Sequence, residues 1–414
     1  MKILAINCGS SSVKYQLYDE TTKEVLARGG IERIGFVGTF IVHNTKSQRH
    51  RLEIDLVNHT ESIKTIFKFL TDEEFGVIED ISEIDAVGHR IVHGGEKFNK
   101  SVMIDDDVIH EIEELSILAP LHNPPNLAGI YAFKKLLPDI PQIAVFDTAF
   151  HQTMPEIAYM YAIPLKWYTK YGVRKYGFHG TSHLYVSRRC AVLLGKPVNE
   201  CNIITLHIGN GVSATAIKNG ISVDTSMGFT PLEGAIMGTR SGSLDPAVLL
   251  FMMDKIGFTS EEINTVLNKR SGVLGITGRY TDRRDIYRVA EEGDKLCQLS
   301  IDMETYKLKK IIGEYLAILG NIDAIVFTAG VGENSAAARE NVCMNMEHLG
   351  IELDVEKNNN AAPGTGEHII SKDSSPIKIM SIPTNEEIVI IEDVIGILNG
   401  TYTEPKTFKY SFEN

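Results

Sequence analysis

Three short turns combine glycine with small polar residues directly after an apolar run: 7–12, 209–213 and 329–335. Such turns present converging N–H groups with little side-chain obstruction, and the field at a following helix start favours an anion. One turn of this kind reads equally well as a tight hairpin. Three in one chain favour phosphate binding. None fits G-x-x-x-x-G-K-[ST] or G-x-G-x-x-G, so neither a P-loop nor a dinucleotide fingerprint is supported.

Two arginines keep unusual company. Arg90 lies in GHRIVHGG, a near-continuous apolar strand where an unpaired guanidinium is costly to bury. Arg240 lies in MGTRSGSLDP, a loop of small residues. A structural ion pair is the plainer reading of either one alone. Beside glycine-rich turns they fit clamps on a transferring phosphoryl group. His89/His93 and His179/His183 are spaced i,i+4, but neither pair carries the Glu of H-E-x-x-H, and a zinc site is disfavoured. His179 stands just before an expected helix, with Thr181 or Ser182 as its cap. For a hard cation the candidates are Asp147, closing a buried-looking strand, and Glu386 or Glu387 in PTNEEIVI.

The elements that must hold these residues alternate between strands and helices. KILAIN (2–7) and VKYQLYD (13–19) read as strands around the first turn, followed by strand candidates at 24–28, 38–43 and 51–56. Helices are expected at 60–71, 106–118 and 125–136, and buried strands at 84–95 and 142–150. A second cycle opens with strand, glycine turn and strand at 202–220. Helices follow at 246–254, 260–268, 282–291 and 295–318, then a strand, loop and helix at 322–335. The chain closes with a strand at 377–383 and a helix from Asn385 to Leu398. The repeated strand–turn–strand unit suggests two related α/β domains facing one cleft.

Composition narrows the class. At about 150 residues per domain, 414 residues imply two or three domains. Lys+Arg 41 against Asp+Glu 54 gives a net charge of -13, which disfavours nucleic acid as a partner. No run reaches the ~18 apolar residues of a membrane-spanning helix. Five scattered cysteines without C-x-x-C argue for a reducing, cytoplasmic setting and against a disulfide framework.

Ten stretches in order make the chain resemble the acetate kinase family, within the acetate and sugar kinase/Hsp70/actin superfamily. They are NCGSSSVKYQL (7–17), GHRIVHGG (88–95), LAPLHNPPNL (118–127), FDTAFHQTMP (146–155), YGFHGTSH (176–183), LHIGNGVS (206–213), DTSMGFTPLEG (224–234), MGTRSG (237–242), FTAGVGENS (327–335) and PTNEE (383–387). The resemblance implies an α/β fold of two domains with duplicated ribonuclease-H-like (actin-like ATPase) topology around a central cleft. It places the N-terminal domain at 1–150 plus 386–400, the C-terminal domain at 151–385 and a peripheral tail at 401–414.

The implied reaction is ATP + acetate ⇌ ADP + acetyl phosphate with Mg²⁺, for which Mn²⁺ can substitute, on a homodimer. By motif, Arg90 and Arg240 would bind the carboxylate and the phosphoryl group, and His179 and Asn210 would stabilise that group in transfer. His122, His207, Ser10, Ser12, Lys14, Gly209 and Gly211 would lie along the phosphates. Asn7, Asp147 and Glu386 would arrange Mg²⁺ and its waters, and Val92, Leu121, Phe178 and Pro231 would take the acetate methyl. Asp282, Arg283, Arg284, Gly330, Val331, Gly332 and Asn334 would hold adenosine. Arg283 departs from the family's usual apolar or aromatic residue and would stack on adenine or point to solvent. Ser243 replaces a usual Asp, while Gly330-Val331 leaves room for a base. Domain closure would exclude water from the reaction. Propionate kinase is the nearest rival activity, and a non-catalytic nucleotide-dependent module is a rival of another class.

Overall fold

Alternation in the first strand sets the layering. In the computed structural model, which describes residues 1–54, 56 and 58–414, the strand Lys2–Cys8 (β1) sends successive side chains to opposite faces. Ile3 and Ala5 pack with Ile390, Ile391 and Val394 of the helix Glu386–Leu398. Leu4, Ile6 and Cys8 share a core with Ile63, Ile66 and Phe67 of the helix His59–Leu70, and with Phe133 of the helix Asn123–Leu136. A strand covered on both faces reads as an unbroken apolar run, as KILAIN does. The covering is tight. A Cβ added at Gly88 would lie 2.4 Å from Ile390 Cγ2, so only glycine lets the 386–398 helix approach.

The chain divides into two compact units: Met1–Phe150 with Asn385–Ser411, and His151–Thr384 with Phe412–Asn414. The first holds β1 with Ser12–Asp19 (β2), Glu24–Glu32 (β3), Phe40–Thr45 (β4), Arg49–Glu53 (β5), Ala86–Ile91 (β6), Val102–Met103 (β7) and Gln142–Phe146 (β8). Its sheet runs β5-β4-β3-β2-β1-β6-β8-β7, with β1, β6 and β8 parallel. The second unit holds Ile203–Ile208 (β9), Val212–Lys218 (β10), Ile221–Thr225 (β11), Ala324–Thr328 (β12), His368–Ile369 (β13) and Lys378–Ser381 (β14). Its sheet runs β11-β10-β9-β12-β14-β13, with β9, β12 and β14 parallel.

Stripped of additions, β3-β2-β1-β6-β8 and β11-β10-β9-β12-β14 are one topology used twice. Even the first turn repeats: Gly9 N–H donates to the Ser12 carbonyl at 2.8 Å, and Gly209 N–H to the Gly211 carbonyl at 2.9 Å.

Some expectations shift. The strand expected at 51–56 falls at Arg49–Glu53, and Asp55 lies outside the described residues. The helix expected over 106–118 is Asp106–Glu114, closed by a tighter turn at Leu115–Ile117. The segment 401–414 is no peripheral tail. Tyr410 is 1% exposed and its hydroxyl donates to Asp393 Oδ1 at 2.9 Å. Within the second unit, Arg189 donates to the Phe412 carbonyl at 2.6 Å. The aromatic residues dispersed in a polar stretch supply the anchoring that composition conceals.

Candidate functional site

In the first unit, the carboxyl ends of β1, β6 and β8 each deliver a polar group, the usual place for ligands in parallel α/β sheets. Arg90 comes from β6, Asn7 from β1, and Asp147 directly follows β8. Arg90 Nε donates to Asp147 Oδ1 at 2.9 Å, Nη2 donates to Oδ2, and Nη1 donates to Asn7 Oδ1 at 3.2 Å. Glu386, opening its helix, brings Oε2 to 3.9 Å from Arg90 Nε, so of the two adjacent glutamates it is the one that reaches the arginine. Burial opposes the charge on Arg90, but attraction from Asp147 and Glu386 outweighs it and raises the guanidinium. Burial raises the Glu386 carboxyl; Arg90 works against this, while Asp147 and Glu387 add to it.

This is a donor set of two carboxylates and one amide oxygen, all hard. Mg²⁺ commonly takes one or two carboxylates and completes its shell with waters and phosphates, so these residues fit it. Among the described residues no group of three or more His, Cys, Asp or Glu side chains forms a ready cage. Two residues beyond Arg90, Val92 is buried with its N–H on Asn126 Oδ1 at 3.0 Å; Leu121 is 39% exposed. His122 precedes the Asn123–Leu136 helix and influences His93 electrostatically. Lys14 stands opposite Asn7 on β2 and is exposed, as is Ser10, while Ser12 is half-buried.

The second unit builds a different site on the matching turn. His179 holds a left-handed backbone, φ 56°, and caps the helix Gly180–Leu194. Thr181 and Ser182, expected as caps, lie inside the first turn instead, and the Ser182 hydroxyl is engaged by His207 Nδ1 at 2.8 Å. The rings of His179 and His207 stack with centroids 4.0 Å apart. A Cβ at Gly211 would lie 2.9 Å from Arg240 Nη2 and 3.3 Å from His179 Nε2. One at Gly238 would lie 1.9 Å from Asn210 Oδ1. The missing Cβ at both positions leaves the space in which Arg240, His179 and Asn210 converge around the 209–211 turn.

Arg240 donates through Nη1 to the Pro231 carbonyl at 2.5 Å and forms no ion pair among the described residues. Burial alone lowers its guanidinium to about 10. A buried cation without a counter-ion is completed by an arriving anion, and a guanidinium fork matches carboxylate or phosphate oxygens. Phe178 is 1% exposed, and its carbonyl accepts from His151 Nε2 at 2.9 Å. Ser243 closes this loop, its Oγ accepting from Gly234 N–H at 2.9 Å.

The residues implicated in adenosine binding fall into separate groups. Gly330 faces open space, with nothing within 4 Å of an added Cβ, and Asn334 Nδ2 donates to the Gly330 carbonyl at 2.8 Å. Val331 and Gly332 belong to the same short helix, Ala329–Asn334. Asp282 caps the helix Arg283–Glu291 and pairs with Arg284, whose side chain is 90% exposed. Arg283 does not point to solvent. It is 6% exposed, and its Nη2 donates to Glu304 Oε1 at 2.7 Å, because its helix position faces the helix Lys295–Leu319.

Several polar contacts beside this site escaped sequence reasoning. Ser213 Oγ lies 2.8 Å from His179 Nδ1 and 2.7 Å from His183 Nε2, and His183 Nδ1 lies 2.7 Å from Thr205 Oγ1. Glu333 and Thr384 are joined by a hydrogen bond of 2.8 Å. The one available signal was the spacing of Ser182 three residues after His179, which was read as capping.

Set against known proteins, residues 2–392 match the model of the Acetokinase family. The acetate kinase of Trichlorobacter lovleyi is 57% identical over 413 residues, covering 100% of this chain and 98% of its own. The crystal structure of Porphyromonas gingivalis acetate kinase superposes with a TM-score of 0.89 at 48% identity, covering 96% and 99% of the two chains. A propionate kinase from Francisella tularensis gives a TM-score of 0.88 at 40% identity, covering 95% and 98%.

Proposed function

The chain belongs to the acetokinase family, and from that premise we propose that it transfers the γ-phosphoryl group of ATP reversibly to acetate, giving acetyl phosphate and ADP. Full-length similarity to acetate kinases supports the substrate. Arg240 is the observation that carries the chemistry: a half-buried guanidinium with no carboxylate partner among the described residues, beside His179, Asn210 and a glycine turn.

The reaction needs no protein base. A carboxylic acid with a pKa of about 4 is ionised at neutral pH, so acetate is its own nucleophile. What remains is alignment of two anions and neutralisation of the charge that develops on the phosphoryl oxygens. Arg90 and Arg240 orient the carboxylate and the γ-phosphate, while His179 and the Asn210 amide hold the phosphoryl oxygens during in-line attack. Asn7, Asp147 and Glu386 would hold Mg²⁺, or Mn²⁺ in its place, with its waters; when bound, the ion neutralises phosphate charge. Gly330 leaves space for the adenosine, which favours a nucleotide as the donor. Val92, Leu121, Phe178 and Pro231 provide apolar surface for the methyl group.

The propionate kinase likeness gives a second reading a specific basis. One methylene in an apolar pocket is worth only ~1–3 kcal/mol, so both acids are expected to turn over. Trapping the acyl phosphate with hydroxylamine, and comparing kcat/KM for acetate, propionate and butyrate, tests both. Acetate is expected to rank first. Propionate first would replace the reading, and no product from any of the three would end it.

We also propose a homodimer formed through the second unit. Val248 (51%), Leu250 (62%), Phe251 (57%) and Ile256 (59%) are exposed along one segment, more apolar surface than a lone domain usually shows to water. Light scattering should give twice the chain mass. All five cysteines are free and buried, which supports action in the reducing cytoplasm.

A further inference from the structure

We propose that Glu333, Thr384 and Ser182 are positioning residues that hold His207 in the tautomer whose Nε2 carries the proton, aimed at the phosphate-binding turn. Glu333 Oε1 anchors the chain: it accepts from Thr384 N–H at 2.8 Å and from Ala329 N–H at 2.8 Å. That carboxylate thus ties the start of the short helix Ala329–Asn334 to Thr384. Thr384 Oγ1 then donates to Ser182 Oγ at 2.8 Å. Ser182 is completely buried, and its other partner is His207 Nδ1 at 2.8 Å.

Proton counting gives the direction. A hydroxyl has one proton, and the Ser182 oxygen already accepts from Thr384. Were His207 Nδ1 also a donor, the Ser182 proton would be left in the interior without an acceptor, at a cost of ~1–3 kcal/mol. Ser182 therefore donates to Nδ1, and the proton of a neutral His207 resides on Nε2. That nitrogen lies on the side of the turn: a Cβ at Gly209 would be 3.8 Å from it. A neutral imidazole so held presents a fixed donor to anionic oxygens. The other tautomer would present a lone pair to them and repel.

The His179 relay lacks this directionality. The Ser213 hydroxyl sits between two imidazole nitrogens, and both proton orders satisfy it. Of the two stacked histidines, His207 is the one whose tautomer is dictated from behind.

The inference rests on the proposed placement of His207 along the phosphates, and it is tested with two separate readouts. The first is the ¹⁵N spectrum of the full chain labelled at histidine, without ligands in mildly alkaline buffer, with His207 assigned from a His207→Gln sample. The parent should show an unprotonated Nδ1 and a protonated Nε2. Ser182→Ala and Thr384→Val should move both shifts toward a mixture, and Thr384→Ser should restore them. The second readout is acetyl phosphate formation. Because wrong-tautomer histidines are severely impaired, kcat should fall at least about tenfold in Ser182→Ala and Thr384→Val. KM for acetate should stay within about twofold, with recovery in Thr384→Ser. Unchanged shifts in both variants would overturn the proposal, as would changed shifts with unchanged kcat. A failure of the kinase reading looks different: the parent itself would form no acetyl phosphate, while the spectrum would still report the tautomer.

Discussion

The two sheets end in the same turn and carry opposite electrostatics. In the first unit, Arg90 is held by Asp147 and Glu386, and its charge is met within the protein. In the second, Arg240 is half-buried beside His179 with no carboxylate on its guanidinium among the described residues, and desolvation lowers it to about 10. Duplication supplied one scaffold twice, and side chains at the strand ends then specialised it. One end gathers hard oxygen donors suited to a cation; the other gathers N–H donors suited to an anion. This difference also resolves the net charge of -13 against anionic substrates, since the binding field is local and confined to a few buried groups.

Removing the unpaired cation should break the contrast most severely. Arg240→Ala is expected to lower kcat at least ~100-fold, equivalent to ~2.7 kcal/mol of transition-state stabilisation. Activity within threefold of the parent would show that Arg240 has been assigned wrongly. On the other side, Asp147→Asn keeps the shape but removes one hard donor. The Mg²⁺ concentration for half-maximal activity should rise about 10–100-fold, read from a metal titration of the rate.

Stability sharpens the comparison in the opposite direction. Arg240→Met removes a partly desolvated charge that no carboxylate offsets among the described residues, so the ligand-free variant should gain about 1–4 kcal/mol in urea unfolding while losing activity. The sign follows from the depressed guanidinium: its folded value lies below its ordinary one, so it destabilises the folded state at every pH below about 10. An equal or lower stability in Arg240→Met would mean that the charge is compensated after all.

Asp393 serves as a control outside the site, with no expected effect on activity. It is a buried carboxyl without a cation partner among the described residues, raised from 3.8 to about 7 by burial despite hydroxyls from Ser101 and Tyr410. The folded chain holds this proton more tightly than the unfolded chain does. Its stabilising contribution is therefore complete below about 4 and is lost as pH rises to about 7. Asp393→Asn should flatten the fall in unfolding free energy across that window by up to about 1.4 kcal/mol per pH unit. An unchanged slope would place the proton elsewhere.

What the sequence disclosed, and what it withheld, follows the distance over which each signal acts. The apolar alternation of β1 and β2 and the glycine turn between them are local, and their recurrence at β9 and β10 was readable as a repeat. Arg90 and Asp147 announced themselves as charged residues ending apolar strands, though not that they embrace each other. The bond from Thr384 to Ser182 was invisible because the two lie 202 positions apart. Sequence left the orientation of Arg283 open, because only the packing of its helix on Lys295–Leu319 reveals that it does not face solvent. The anchoring of 401–414 depended likewise on Asp393 and Arg189, neither of which a polar composition predicts.

The central claim is that this chain supplies charge and alignment, with the phosphoryl group passing directly to acetate and never residing on a protein atom. The stacked imidazoles of His179 and His207 are the obvious alternative acceptors. The stereochemical course settles between them. With ATP made chiral at the γ-phosphorus by oxygen isotopes, direct in-line attack predicts acetyl phosphate of inverted configuration. Retention would mean two successive transfers through a phosphorylated side chain, and would contradict the account.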